Sequence, residues 1–264
     1  MIKQVYYQGQ AIKQAYLNGQ PLLKNMPRIS ADFVTGNVIK DGKPSTFAEV
    51  FTFNRAGKAW LVLDTGLQEY LVDTPRFDNG LLIEEQATNI VSNINYWTIP
   101  SSIEVIPLEK DWNVKFSQAS LMFSFFDYQN NSDYVFSVYT KTDSLESIFL
   151  SHNGKGKTVN VSKELLRVNY DFVSANVPRK GIGIEAVKGN LFLRNPQLEK
   201  GSYQTSPIPT INLPVTRPAD YLSLMNIVDA KSVTGDWDST LKLTIVNGQL
   251  NHSGYGKIRS MEVW

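Results

Sequence analysis

The sequence predicts an all-β protein built around a sandwich or barrel, and three observations carry that reading. Runs rich in Val, Ile, Phe and Tyr recur about every ten residues from Ser101 to Glu199. Gly, Pro, Asn and Asp punctuate them. No ten-residue segment has helical periodicity, and Lys163-Glu-Leu-Leu-Arg167 is the stretch expected to form at most a turn of helix.

The elements follow in order. Ile2-Lys-Gln-Val-Tyr-Tyr-Gln-Gly-Gln-Ala11 is echoed by Ile12-Lys-Gln-Ala-Tyr-Leu-Asn-Gly-Gln-Pro21, a repeat too short for a solenoid unit. Asn18-Gly19 is a strong hairpin signal and Gln8-Gly9 a second one, so residues 1–26 read as a three-stranded meander. Such a ribbon buries little alone and is expected to dock on something else. Residues 27–100 read as an irregular wrapping segment with strands at Phe47–Phe53, Trp60–Leu63, Gln68–Val72 and Gly80–Ile83.

Residues 101–205 read as the main sandwich. Its strands are expected at Asn113–Ser117, Ser120–Phe126, Tyr134–Thr140, Ser147–Leu150, Thr158–Val161, Arg167–Val173 and Leu191–Leu193. In the third, Val135, Ser137 and Tyr139 face one side and Phe136, Val138 and Thr140 the other, as in a half-buried strand. Prolines at 207, 209, 214 and 218 make residues 206–220 an extended linker and a boundary. A small C-terminal β unit fills 221–264, with alternation in Thr240–Ile245, a turn at Asn247-Gly248 and a closing strand that ends on Trp264.

Charge excludes several partners. The 26 basic and 25 acidic side chains nearly cancel, so no global field draws the chain to nucleic acid or an anionic membrane. No segment approaches membrane-spanning length, and Met1–Tyr7 lacks the apolar run of a secretory signal. The absence of cysteine removes disulfides, thiolate metal sites and a cysteine nucleophile.

Two groups of residues then carry a resemblance. The first is Phe53-Asn-Arg-Ala-Gly57, Pro75-Arg-Phe-Asp78 and Gly80-Leu-Leu-Ile-Glu-Glu-Gln-Ala-Thr-Asn-Ile90. The second is Pro196-Gln-Leu-Glu-Lys-Gly-Ser202, Thr205-Ser-Pro-Ile-Pro-Thr210 and Val215-Thr-Arg-Pro-Ala-Asp220. In this order, across about Phe51 to Asp220, they resemble a phage tail-fibre and head-fibre (spike) family, with Ile90 where that family usually has Leu and Pro218 where it more often has Ala. The resemblance implies a jelly-roll β-sandwich similar to carbohydrate-binding modules, and the N-terminal meander and small C-terminal β unit read from the residues lie on either side of it. It also implies a virion structural protein, assembled in the bacterial host cytoplasm, whose partners are other virion proteins and copies of itself, most plausibly in a trimer. The motifs themselves read as scaffold: Asp78-Asn79-Gly80 is turn chemistry, and Arg76 with Glu84 and Glu85 can pair to fix how the wrapping segment meets the sandwich.

No catalytic constellation stands out. His152 and His252 both fall in turn-like sequence and read as exposed loop residues. Glu104, Glu109, Asp111, Asp127, Asp133, Asp143 and Glu185 form no recognisable pair for glycan cleavage, so the chain reads as a non-enzyme. Gly154-Lys-Gly-Lys157 reads as a hairpin tip, not a phosphate loop. Asp127, Asn130 and Asp133 collect oxygen ligands of the kind calcium uses, without EF-hand spacing; a metal-free hairpin loop is the favoured reading, and no other cofactor is implied. For a host-surface glycan, Tyr96, Trp97, Trp112 and Tyr128 are the aromatic candidates near polar loops, weighed against core packing for each. A free carbohydrate-binding module and, further off, a polysaccharide depolymerase are the alternatives to the virion role.

Overall fold

The computed structural model describes residues 6–7, 10–11, 16–17, 20–21, 27–63, 66–91, 97–108, 111–177, 180–210, 213–225, 227 and 229–264. Among them strands dominate and the α-helix is the four-residue Phe47–Val50. That helix falls where a strand was expected. Glu49 reaches back to accept the Thr46 N–H at 2.9 Å and the Ser45 hydroxyl at 2.9 Å, closing one helical turn before the strand Phe51–Asn54 begins. Lys163–Arg167, the expected helical turn, instead leads into the strand Leu166–Val173.

The chain forms two units, and neither is continuous. One comprises Met1–Ala56, Val72–Glu85 and Ala219–Trp264, the other Gly57–Leu71 and Gln86–Pro218. The expected wrapping segment 27–100 is therefore divided between them, and 221–264 is not a unit of its own. The reason lies in the strand Gly256–Val263. One of its edges pairs with Leu81–Ile83 and then Ile29–Asp32, while the other pairs with Val233–Trp237. Strands this short bury their apolar faces only by sharing a sheet. Their inward residues, among them Ile29, Leu81, Ile83, Ile258, Met261 and Val263, make one core together with Phe51 of the separate pair Phe51–Asn54 and Tyr221–Leu224. Trp264 is tied down within the same unit, its N–H donating to Ser232 O at 3.0 Å.

In this unit the charged residues of the first motif group meet. Arg76 Nη2 donates to Glu84 at 2.7 Å and to Asp220 at 2.8 Å, and Arg55 Nη1 donates to Asp220 at 3.2 Å. Arg55 also reaches Thr74 O, and the Glu84 N–H donates to the same Asp220 carboxylate at 3.0 Å. All four side chains are buried. Burial opposes the charge of Arg76, but Glu84 and Asp220 outweigh it and hold its pKa above the ordinary value. Glu85 accepts the Gly254 N–H.

The other unit is a jelly-roll β-sandwich of antiparallel strands. Its first sheet runs Ile103–Leu108, Asp111–Phe116, Gly189–Lys200, Asp133–Lys141, Leu166–Val173; its second runs Ser120–Phe126, Lys180–Ala186, Ser147–His152, Lys155–Asn160. Val114, Phe116, Met122, Phe136, Val138, Ile148, Leu150, Ile182, Ile184, Leu191 and Leu193 fill the space between.

The segment 206–220, expected as a poorly paired linker, is largely built into the sandwich unit. Val215–Arg217 pairs with Ala87–Asn89, Ile208 is fully buried, and the unit boundary falls just after Pro218. Asn89 anchors the strap: its amide donates to Ile208 O at 2.9 Å and Pro196 O at 3.2 Å, and its oxygen accepts the N–H groups of Val91 and Leu198. Gln197 accepts the Ile208 N–H and donates to Ser206 O. Glu199 takes the Thr205 N–H at 3.0 Å; its burial pushes its carboxyl above the usual range. At the N-terminus, Tyr6–Tyr7 pairs with Gln10–Ala11 and Tyr16–Leu17 with Gln20–Pro21. The turns expected at Gln8-Gly9 and Asn18-Gly19, and the remainder of the expected three-stranded meander, lie outside the described residues.

Candidate functional site

Three of the four aromatic residues picked for glycan contact are core residues. Trp97, Trp112 and Tyr128 are 5 %, 7 % and 7 % exposed. Trp112 alternates inward with Val114 and Phe116, Trp97 packs 6.2 Å from the Phe136 ring, and Tyr128 lies 4.8 Å from the Tyr134 ring. Burial raises the Tyr128 phenol far above its ordinary pKa. Their ring faces are used in packing, so they present no surface to a sugar. Tyr96 lies outside the described residues.

The loop at Asp127, Asn130 and Asp133 is a stapled turn. Its Asn130 amide donates to Asn176 at 2.8 Å, the Ser174 N–H donates to Ser132 O at 2.8 Å, the Ser132 N–H donates to Ser174 Oγ at 3.1 Å, and Asn131 takes a positive φ of 49°. Asp127 and Asp133 are both exposed. Among the described residues no group of three His, Cys, Asp or Glu is placed to hold a metal ion.

The histidines depart from the exposed-loop expectation. His152 ends the strand Ser147–His152, is 4 % exposed, and stacks 4.1 Å from the Phe172 ring. His252 sits within Gln249–Gly254, where its Nε2 accepts the Leu222 N–H at 3.1 Å. Burial lowers the pKa of both.

What the sandwich does expose is half of the outer face of its five-stranded sheet. The strap carrying Thr205, Ser206 and Ile208 lies with the half where Val135, Ser137 and Gln197 are fully buried. On the other half, alternation turns Asp111 and Asn113, then Asn190, Phe192 and Arg194, then Tyr139 and Lys141 away from the core. Asn113 and Lys141 flank Phe192 as its partners on the two neighbouring strands.

A cavity of about 330 Å³ opens here, lined by Asn113, Lys141, Thr142, Asp143, Lys163, Asn190, Leu191 and Phe192. That is at the lower end of the range for small-molecule sites, roughly 300–1,000 Å³. Its rim is held rigidly. Thr142 Oγ1 donates to Asn190 O at 2.6 Å, Ser144 Oγ accepts the Asn190 N–H at 2.8 Å, and the Thr142 N–H donates to Ser162 O at 2.7 Å. Gly189 permits that approach, since a Cβ there would stand 2.6 Å from Leu145 Cδ2.

Phe192 is the aromatic floor of this site. The Lys141 ammonium lies 4.9 Å from its ring centroid and the Arg194 guanidinium 5.4 Å away. Arg194 donates through Nε and Nη2 to the two Asp111 carboxylate oxygens, at 2.8 and 2.7 Å, and those bonds raise its pKa. Around the ring stand two amides, a carboxylate and two ammonium groups, a set that can bind hydroxyls and an apolar sugar face together. Of these residues the sequence reading singled out Asp111 and Asp143, both as candidate acids for glycan cleavage. The usable signal was phase: in Asn190-Leu-Phe-Leu-Arg194, Phe192 falls on the polar side of the alternation while its neighbours Leu191 and Leu193 face inward.

The class defined by this fold and site is a jelly-roll sandwich with an aromatic and amide cavity on one sheet. No family model matches the chain, and no curated protein is significantly similar to it in sequence. Among solved structures it is similar to one described as "CBM4 structure and function" (12% identity, 48% of this chain and 100% of that one, TM-score 0.36). It is also similar to the CBM22-1–GH10 modules of Clostridium thermocellum xylanase 10B complexed with xylohexaose (11% identity, 48% and 30%, TM-score 0.35). A third likeness is to the enzymatically active domain of bacteriophage CBA120 tailspike protein 4 (14% identity, 43% and 21%, TM-score 0.31).

Proposed function

We propose that this chain is a non-catalytic virion subunit of the phage fibre or spike kind, oligomeric and assembled in the host cytoplasm, whose sandwich binds a surface glycan through the Phe192 cavity. The observation that carries the binding role is the half-buried, outward-facing ring of Phe192 set among Asn113, Asn190, Asp143 and Lys141 on one open sheet face. The ring offers a flat apolar surface to sugar C–H groups while the amides and carboxylate take hydroxyls. Asp143 is the single carboxylate among the described residues lining the cavity, whereas glycoside cleavage ordinarily needs two, and this favours binding over hydrolysis. The virion role draws its support from the ordered motif series between Phe53 and Asp220.

The binding test is glycan-array or isothermal measurement with Phe192→Ala, a half-exposed position whose loss leaves the core intact. Affinity is expected to fall about tenfold or more, equivalent to ~1.4 kcal/mol; unchanged binding would remove the cavity from consideration. The virion role is tested separately by mass spectrometry of purified particles and by the mass of the protein in solution. Absence from particles together with a strictly monomeric protein would favour the free binding module.

A further inference from the structure

The cavity is unevenly charged, and the imbalance points to the kind of sugar it takes. Three of its lining residues carry charge, Lys141, Lys163 and Asp143, which sum to two positive and one negative. Elsewhere on the same face the cations Arg194, Arg167 and Lys115 already have acidic neighbours. Arg194 is saturated on one side by Asp111, Arg167 donates to Ser137 at 2.9 Å and lies 3.9 Å from Glu199, and Lys115 lies 3.9 Å from Glu104. Lys141 and Lys163 are exposed, and neither has an ion-pair partner among the described residues. The Lys141 ammonium rests against the Phe192 ring instead.

Resting rings and resting ammonium groups compete. An exposed cation–π contact is weaker than a charge-assisted hydrogen bond to a carboxylate, so an anion arriving in the cavity draws Lys141 off the ring. That movement frees the ring face for the sugar. A neutral sugar would have to displace the ammonium with no new partner to offer it.

We infer that the cavity selects an acidic saccharide, a sugar unit bearing a carboxylate that Lys141 and Lys163 bind while its ring packs on Phe192 and its hydroxyls meet Asp143, Asn113 and Asn190. This rests on the reading of the cavity as the glycan site. The Asp143 carboxylate limits how much total negative charge the site accepts, which favours one carboxylate per sugar over densely sulfated chains.

The experiment is binding of the full-length protein to an array of matched polysaccharide pairs, each uronate-containing polymer beside the same polymer with its carboxylates reduced to alcohols. The wild type, Lys141→Gln, Lys163→Gln and Phe192→Ala are compared after their thermal unfolding is shown to be unchanged. Preference for the acidic member by about tenfold, loss of that preference in either lysine variant, and weakening by added salt are the expected results. Binding that depends on Phe192 but is equal for both members of a pair and insensitive to the lysines overturns the charge selectivity and leaves the site. Acidic binding that survives all three variants, or an array with no bound member, overturns site and selectivity together.

Discussion

A single buried imidazole gives the sandwich a measurable pH response. His152 is enclosed by Phe172, Tyr128 and the buried Lys180, whose ammonium lies 5.4 Å from the Tyr128 ring, and its Nε2 stands 3.1 Å from the Asn153 amide. Burial first, and the charge of Lys180 second, lower its pKa below the ordinary 6.5. In the folded state the ring therefore resists a proton that the unfolded chain accepts from about pH 6.5 downward. The stability it supports is present above that value and lost as pH falls through the folded pKa. Glu199, with its carboxyl raised by burial, acts with the opposite sign, so the informative quantity is a difference. The urea midpoint of the wild type, relative to His152→Phe, is expected to drop between pH 8 and pH 5.5. A difference that stays constant across that range would mean His152 does not titrate with folding.

At the scale of elements, the recognisable motifs turn out to be connectors. Those of the first group bring Arg55, Arg76 and Glu84 onto Asp220, from segments separated by up to 165 residues. Two arginines face two carboxylates, and the Asp220 carboxylate also accepts the Glu84 N–H, so the buried charges are both paired and hydrogen-bonded, which is the condition under which a buried ionic cluster is tolerated. Asp220→Ala leaves both arginines around one remaining acid. It is expected to cost about 3–5 kcal/mol in chemical denaturation of the unit that contains it, whereas Asp78→Ala, an exposed partner of Lys257, is expected to cost at most about 1 kcal/mol. Equal effects would show that burial does not govern these pairs.

The same comparison explains what was legible. Strands with an alternating apolar face, such as Ser120–Phe126 and Leu241–Val246, stand almost where the pattern puts them, and Asn247-Gly248 is the expected turn, with φ of 51° and 77°. Asp133–Lys141 also stands in place, but Val135 and Ser137 are buried as fully as Phe136 and Val138, so it is not the half-buried strand expected. Lys180–Ala186 escaped because its outward residues include Gly181 and Gly183. At those positions a Cβ would stand 3.2 Å from the Phe125 ring and 2.6 Å from Leu121, so side chains of the next strand cover them. The site was harder still. Trp97, Trp112 and Tyr128 carry the large rings, but chemistry alone does not tell an inward ring from an outward one. The pairing that sets Phe192 between Asn113 and Lys141 joins residues distant in sequence.

For the whole molecule, the decisive fact is that the ends of the chain complete the fold of its beginning. Of the nineteen buried core residues described in the unit made of Met1–Ala56, Val72–Glu85 and Ala219–Trp264, ten lie after residue 220, including Leu222, Leu241, Leu250, Ile258, Met261 and Val263. Each fully buried apolar side chain of this size is worth about 1.5–3 kcal/mol, so removing ten exceeds the roughly 5–15 kcal/mol by which a domain is stable. The sandwich strands between Ile103 and Lys200 pair among themselves and lose none of their ladders to that deletion. A chain ending at Pro218 is therefore expected to keep a folded sandwich and lose the other unit. Limited proteolysis should remove residues 27–56 within the time that 86–218 survives, and the full-length chain should protect both. If the shortened chain instead resists digestion throughout, Ile29–Asp32 and Phe51–Asn54 find their partners without Gly256–Val263 and Tyr221–Leu224, and the pairing described here is not what holds them.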